Sequence, residues 1–145
     1  RLQAPGFRYQ ILASDISQQI LGAARAGQYS GRSVERIRLS HPDLLRKYFT
    51  PAPYGVQVNE ALRQHVSFAR HNLLDALRPA QRFDLVFLRN VLIYFDAAHQ
   101  ETVLRQARLS LKDEGRLILG ESETIARLGT GYQFEFPMIY KAGTA

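Results

Sequence analysis

An α/β fold built on a parallel sheet is predicted for this chain by three observations. A continuous apolar run, Leu85 to Leu88, stops abruptly at Arg89 and Asn90. Another strand candidate ends in Asp15 and passes straight into a helical pattern. Between and after them strand and helix patterns alternate, the element order of a sheet with crossover helices. An apolar run without polar interruption belongs to a strand covered by helices, so Leu85 to Leu88 is expected to be buried on both faces. Ligands of such sheets bind beyond the carboxyl ends of the strands, the position of Arg89 and Asn90. For an isolated Arg-Asn pair, capping of a strand or a helix is the favoured explanation.

In chain order, Tyr9 to Ile16 forms the first strand. The helix after it places Ile16, Ile20, Ala23, Ala24 and Gly27 on one face. An ionised carboxylate at that strand tip, Asp15, can accept from two neighbouring hydroxyls, or it can stabilise the first turn of the helix. From Tyr29 to Val66 the composition turns to Pro, Gly, Arg and Ser, which marks an inserted subdomain at about residues 30–65. Within it His41-Pro42-Asp43 starts a helix leading to Leu44, Leu45 and Tyr48, and Tyr54 to Val58 alternates as a short strand after a Pro-rich turn. Val66, Phe68 and Arg70 alternate next, and the strand ends in Asn72-Leu73. An amide there can pair with a base edge and the leucine can pack on a ring, although turn chemistry also favours Asn. Asp96 caps a helix that faces Val103, Leu104, Ala107 and Leu111 to the core and stops at Gly115. Arg116 to Gly120 is a strand, GESET a polar segment, and Tyr132 to Pro137 with Met138 to Lys141 a closing pair.

A chain of 145 residues with 46% hydrophobic and 22% charged residues makes one globular domain, and nothing in it approaches the ~20 apolar residues of a membrane span. The absence of Cys excludes disulfides and thiolate metal sites, and the four histidines lack metal-ligand spacing, so no metal is expected. The net charge of +6 is spread over scattered arginines without a nucleic-acid-binding motif, which argues against a nucleic-acid partner.

Taken together, ILASDI, GQYS, LLRKYF, HNLLD, FLRNVLIYFD, LKDEGRL, GESET and FPMIYKA resemble the chemotaxis receptor-glutamate methyltransferases, the CheR-type family, over Tyr9 to Ala142. The resemblance implies a class I S-adenosylmethionine-dependent methyltransferase (Rossmann-like) sheet with an inserted β-subdomain. It also implies a cytoplasmic enzyme that methylates glutamate side chains on the cytoplasmic domain of a chemoreceptor, with S-adenosyl-L-methionine as cofactor. By position Asp15 is implied to bind the ribose hydroxyls, Asn72 and Leu73 the adenine end, and Arg89 and Asn90 the methionine end. Tyr94 is implied beside the transferred methyl as the catalytic residue. The family's nucleotide cradle and preceding helical domain would lie upstream of Arg1, so residues 1–145 are expected to be a partial catalytic domain, inactive in isolation, that lacks the first, central strand of its sheet. The loop from Pro51 to Gly55 is shorter than in relatives that dock on a receptor's carboxyl-terminal peptide, and lacks their glycine-rich turn. A non-catalytic signalling module that keeps the fold for protein contact is the competing expectation.

Overall fold

The computed structural model describes residues 7–77, 82–126 and 128–143, and the chain divides into two compact units, one ending at His71 and one beginning at Asn72. Arg1 lies outside the described residues.

In the first unit β1 (Ile11–Asp15) pairs in parallel with β5 (Val66–Arg70), with Asp15 beside Arg70 at the tip. The connection between them is long: α1 (Gln18–Ala26), β2 (Gln28–Tyr29), α2 (Arg32–Ser40), α3 (Pro42–Tyr48), β3 (Phe49–Ala52), β4 (Gly55–Val58) and α4 (Glu60–Arg63). β2, β4 and β3 form an antiparallel sheet of their own with β4 in the centre. Pro51, expected in a turn, lies within β3, where an edge strand tolerates its missing N–H. α2 carries no sequence signature because Val34 is its one buried residue.

α1 starts on Ser17, whose hydroxyl accepts from the Ile20 N–H, and ends at Gly27 in the left-handed conformation, φ 64°. Its last carbonyls find donors in side chains: Arg63 donates to Arg25 O at 3.0 Å and Gln57 to Ala26 O at 2.9 Å. The helix face differs from expectation. Leu21 is buried, whereas Ile16 and Ile20 are exposed, because the helix begins only at Gln18 and Ile16 precedes it. Gly55, at φ 148°, is required between β3 and β4, since a Cβ there would stand 2.1 Å from the Tyr29 carbonyl oxygen.

In the second unit β6 (Phe83–Leu88) pairs in parallel with β7 (Leu111–Leu119), and β9 (Ile139–Ala142) and β8 (Tyr132–Phe136) extend the sheet antiparallel in the order β6-β7-β9-β8. α5 (Ala97–Ser110) crosses between β6 and β7, capped by Asp96, whose carboxylate accepts from the His99 N–H at 2.9 Å. Leu111 is fully buried as expected, but as the first residue of β7 rather than in the helix. Register puts Val86 beside Leu117 and Leu88 beside Leu119, and the last three of these join Val103 and Leu104 of α5, Leu92, Ile125 and Tyr140 in one core. The alternate residues of β6 correct the expectation of burial on both faces: Leu85 is 49% and Phe87 65% exposed. α5 packs Val103 and Leu104 on one side of this sheet, and Leu85 and Phe87 on the other side stay in solvent.

β1 has β5 as its sole strand partner and β6 has β7, so each keeps one edge without a strand partner among the described residues. No described helix is long and apolar enough to cross a membrane.

Candidate functional site

The segment after β6 is held by two side chains, buried Glu123 and half-buried Gln100. Asn90 takes a positive φ of 57°, a region Asn enters more readily than most residues. Leu92–Tyr94 makes a single 3-10 turn. Glu123, 8% exposed, places both carboxylate oxygens in this bend. Oε1 accepts from the N–H groups of Val91 and Leu92, each at 2.8 Å, and Oε2 accepts from Asn90 N–H at 2.7 Å and Gly120 N–H at 2.8 Å. Burial acts to raise the Glu123 carboxyl pKa, but the four backbone donors outweigh it and hold the group below the usual glutamate value. On the far side Gln100 donates to the carbonyls of Leu92, at 3.0 Å, and Phe95, at 2.9 Å.

Gly120 closes the arrangement, because a Cβ there would lie 2.8 Å from Glu123 Oε2 and 3.0 Å from both the nitrogen and Oδ1 of Asn90. The result is a fixed backbone with free side chains. Arg89 and Asn90 are exposed, Tyr94 is 79% exposed, and the Arg89 side chain has no hydrogen bond or ion pair among the described residues.

Asn72 and Leu73 open the same unit. Asn72 Oδ1 accepts from the Leu74 N–H at 3.2 Å and its carbonyl from the Asp75 N–H at 2.9 Å, so the residue forms the turn that the sequence allowed as an alternative. Its side-chain N–H groups stay without a protein partner among the described residues. Leu73 packs, half-buried, against the core cluster of this unit. Asp15 belongs to the other unit, at the tip of β1. Its Oδ1 accepts from Ser17 N–H at 2.8 Å, which turns the chain into α1, and its Oδ2 has no hydrogen bond among the described residues. Taken one by one, a free carboxylate oxygen at a strand tip, an unengaged amide and an unpaired guanidinium have the hydrogen-bonding chemistry that a ribose, a base edge and an amino-acid carboxylate each require.

The structure thus places Arg89, Asn90 and Tyr94 on one turn, Asn72 and Leu73 on another turn of the same unit, and Asp15 on the other unit. Sequence reasoning missed Glu123 and Gln100. The signal for Glu123 was present in GESET directly after a strand, but an acidic residue in a polar segment looks solvated until a second strand tip is brought to it. No group of three or more His, Asp or Glu side chains among the described residues is arranged to hold a metal ion.

A family model described as CheR methyltransferase, SAM binding domain, matches residues 2–137. Chemotaxis protein methyltransferase 1 of Pseudomonas aeruginosa is 42% identical over 125 residues, which are 86% of this chain and 45% of that protein. The chemotaxis protein methyltransferase of Salmonella typhimurium is 34% identical over 142 residues, 94% of this chain and 48% of its own length. That of Borreliella burgdorferi is 37% identical over 138 residues, covering 93% and 47%. The chain spans about half the length of the curated relatives it matches. Matched by that family model over residues 2–137, the chain belongs to the CheR methyltransferase SAM-binding domain family.

Proposed function

We propose that the protein carrying this chain is a protein-glutamate O-methyltransferase that uses S-adenosyl-L-methionine to esterify glutamate side chains on the cytoplasmic domain of chemoreceptors. The chain is read as a partial catalytic domain over residues 1–145 with a subdomain inserted at about 30–65. The observation that carries the proposal is the bend from Arg89 to Tyr94, a rigid backbone that presents an unpaired cation, an amide and a phenol to solvent at the end of a parallel strand. Family membership supports the same reading.

Bound S-adenosylmethionine supplies a methyl group on a positively charged sulfur. Asp15 holds the ribose hydroxyls through its unengaged Oδ2, Asn72 and Leu73 meet the adenine end, and Arg89 and Asn90 meet the methionine end. None of these residues has to move a proton. A substrate glutamate, with a pKa of about 4.3, is already ionised at neutral pH and needs no general base. Positioning and exclusion of water are what remains to be done, and Tyr94 beside the reacting methyl serves that alignment.

The experiment is transfer of labelled methyl groups to receptor cytoplasmic domains by the natural full-length protein. Label released by mild alkali identifies an ester, and Tyr94→Phe lowers turnover while leaving cofactor affinity nearly unchanged. Label that survives alkali overturns the glutamate assignment. Cofactor binding with no transfer to any receptor supports the non-catalytic module instead.

A further inference from the structure

We propose that Glu123 is a positioning residue for cofactor binding: its carboxylate clamps the amides of Asn90, Val91 and Leu92 so that the Asn90 and Tyr94 side chains are presented in one orientation. The inference rests on the functional reading that the Arg89 to Tyr94 bend faces the cofactor.

The hydrogen-bond accounting is complete. A carboxylate has two oxygens with two lone pairs each, and Glu123 uses all four, two donors on Oε1 and two on Oε2. Three of the donors are consecutive amides after β6 and the fourth is Gly120 at the end of β7, so one side chain ties together two neighbouring strand tips. Without it those amides, on a bend that includes a non-glycine residue at positive φ, have no other partner among the described residues. The packing beside the carboxylate is close. Gly120 is packed so closely on Glu123 Oε2 and on Asn90 that a single added methyl displaces one of them.

A glutamine is nearly isosteric but wrong in chemistry. Its oxygen can serve two of the four amides, and its NH2 group then points donors at the other two. A role confined to general stability and a positioning role therefore separate in the variant. The measurements are made on the natural full-length protein: hydrogen exchange of the amides of Asn90, Val91 and Leu92 against Leu117 and Leu119 of β7, and the affinity for S-adenosylhomocysteine by calorimetry.

For Glu123→Gln the three bend amides exchange at least about tenfold faster while the β7 amides are unchanged, and the Kd rises roughly tenfold or more, the size expected when hydrogen bonds to a charged group are lost. Glu123→Asp keeps the charge with a shorter reach and recovers part of the affinity. Equal loss of protection in bend and strand with an unchanged Kd overturns the proposal, as does a loosened bend with an unchanged Kd. If Glu123→Gln does not fold, NMR titration of the wild type decides. One shared midpoint for the Glu123 carboxyl and the three amide shifts supports the clamp, and independent midpoints overturn it. Wild-type protein that fails to bind S-adenosylhomocysteine sinks the functional reading, whereas binding by wild type and by Glu123→Gln with equal affinity sinks the clamp alone.

Discussion

Among the described residues, the unit ending at His71 buries two apolar side chains, Leu21 and Val34, while the unit beginning at Asn72 buries ten residues in one cluster around Leu104, Leu111, Leu117 and Leu119. The first is organised by backbone and cap hydrogen bonds. Asn59 caps α4 through Leu62 N–H and also donates to Lys47 O at 3.0 Å, and Arg63 and Gln57 finish α1. The second is organised by area removed from water, at about 25 cal/mol per Å². The difference bears on the proposed function, because the bend from Arg89 to Tyr94, with its fixed backbone, is mounted on the dense unit. The Glu123 and Gln100 bonds to the bend add direction to a segment that Leu92 already anchors in the core.

The largest effect expected is Leu104→Ala, in a fully buried position of α5, which costs about 2 to 5 kcal/mol through lost transfer energy and the cavity left behind. In the other unit Leu39→Ala, at a residue 84% exposed, changes stability by no more than about 0.5 kcal/mol. Chemical denaturation of both variants measures the contrast, and similar losses would erase it. Next in size is Gly55→Ala, which forces a Cβ against the Tyr29 carbonyl and costs roughly 2 kcal/mol, read as faster hydrogen exchange across β2, β4 and β3. Unchanged protection there would mean that the small sheet is held by something other than its turn.

Asn59→Ala removes a cap and is expected to cost about 1 kcal/mol in spite of the open surroundings, since capping energy does not depend on a large core. A loss below a few tenths would show that hydrogen bonds do not compensate for missing burial in this unit. The smallest effect is a pH dependence. A carboxyl held below its ordinary value in the folded state contributes stability that is present above the unfolded value, about 4.3, and is lost as pH falls through the folded value. The Tm advantage of wild type over Glu123→Gln therefore narrows as the pH is lowered from about 6 to about 3. An advantage that stays constant over this range shows that the charge of Glu123 is not what the bend uses.

Much of this was legible along the chain. Alternation in Val66, Phe68 and Arg70, the Asp96 cap, the Pro42 helix start and the continuous run ending in Arg89 each state a local backbone preference, and local preferences survive folding. A parallel sheet was expected from the same run, and the structure pairs β1 with β5 and β6 with β7 in parallel. The positions of Asp15, Asn72, Arg89 and Asn90 at strand ends were readable too, because the end of a strand is a local event. What misled was pattern without context. Pro51 read as a turn because an edge strand cannot be recognised before its neighbours are known, and the Leu85 to Leu88 run predicted two covered faces although apolarity alone does not say which helices are present to cover them.

Only the tertiary structure decided what Glu123 does. Thirty-three residues separate its Oε2 from the Asn90 N–H it accepts from, and no local preference links an acid in a polar segment to a bend at another strand's tip. Parallel pairing of β6 with β7 brings the two tips side by side, and the close approach at Gly120 leaves the carboxylate as the acceptor for four backbone amides. Sequence determines such a group's charge and length; whether that charge is solvated or becomes the anchor of a site depends on which donors the fold carries to it.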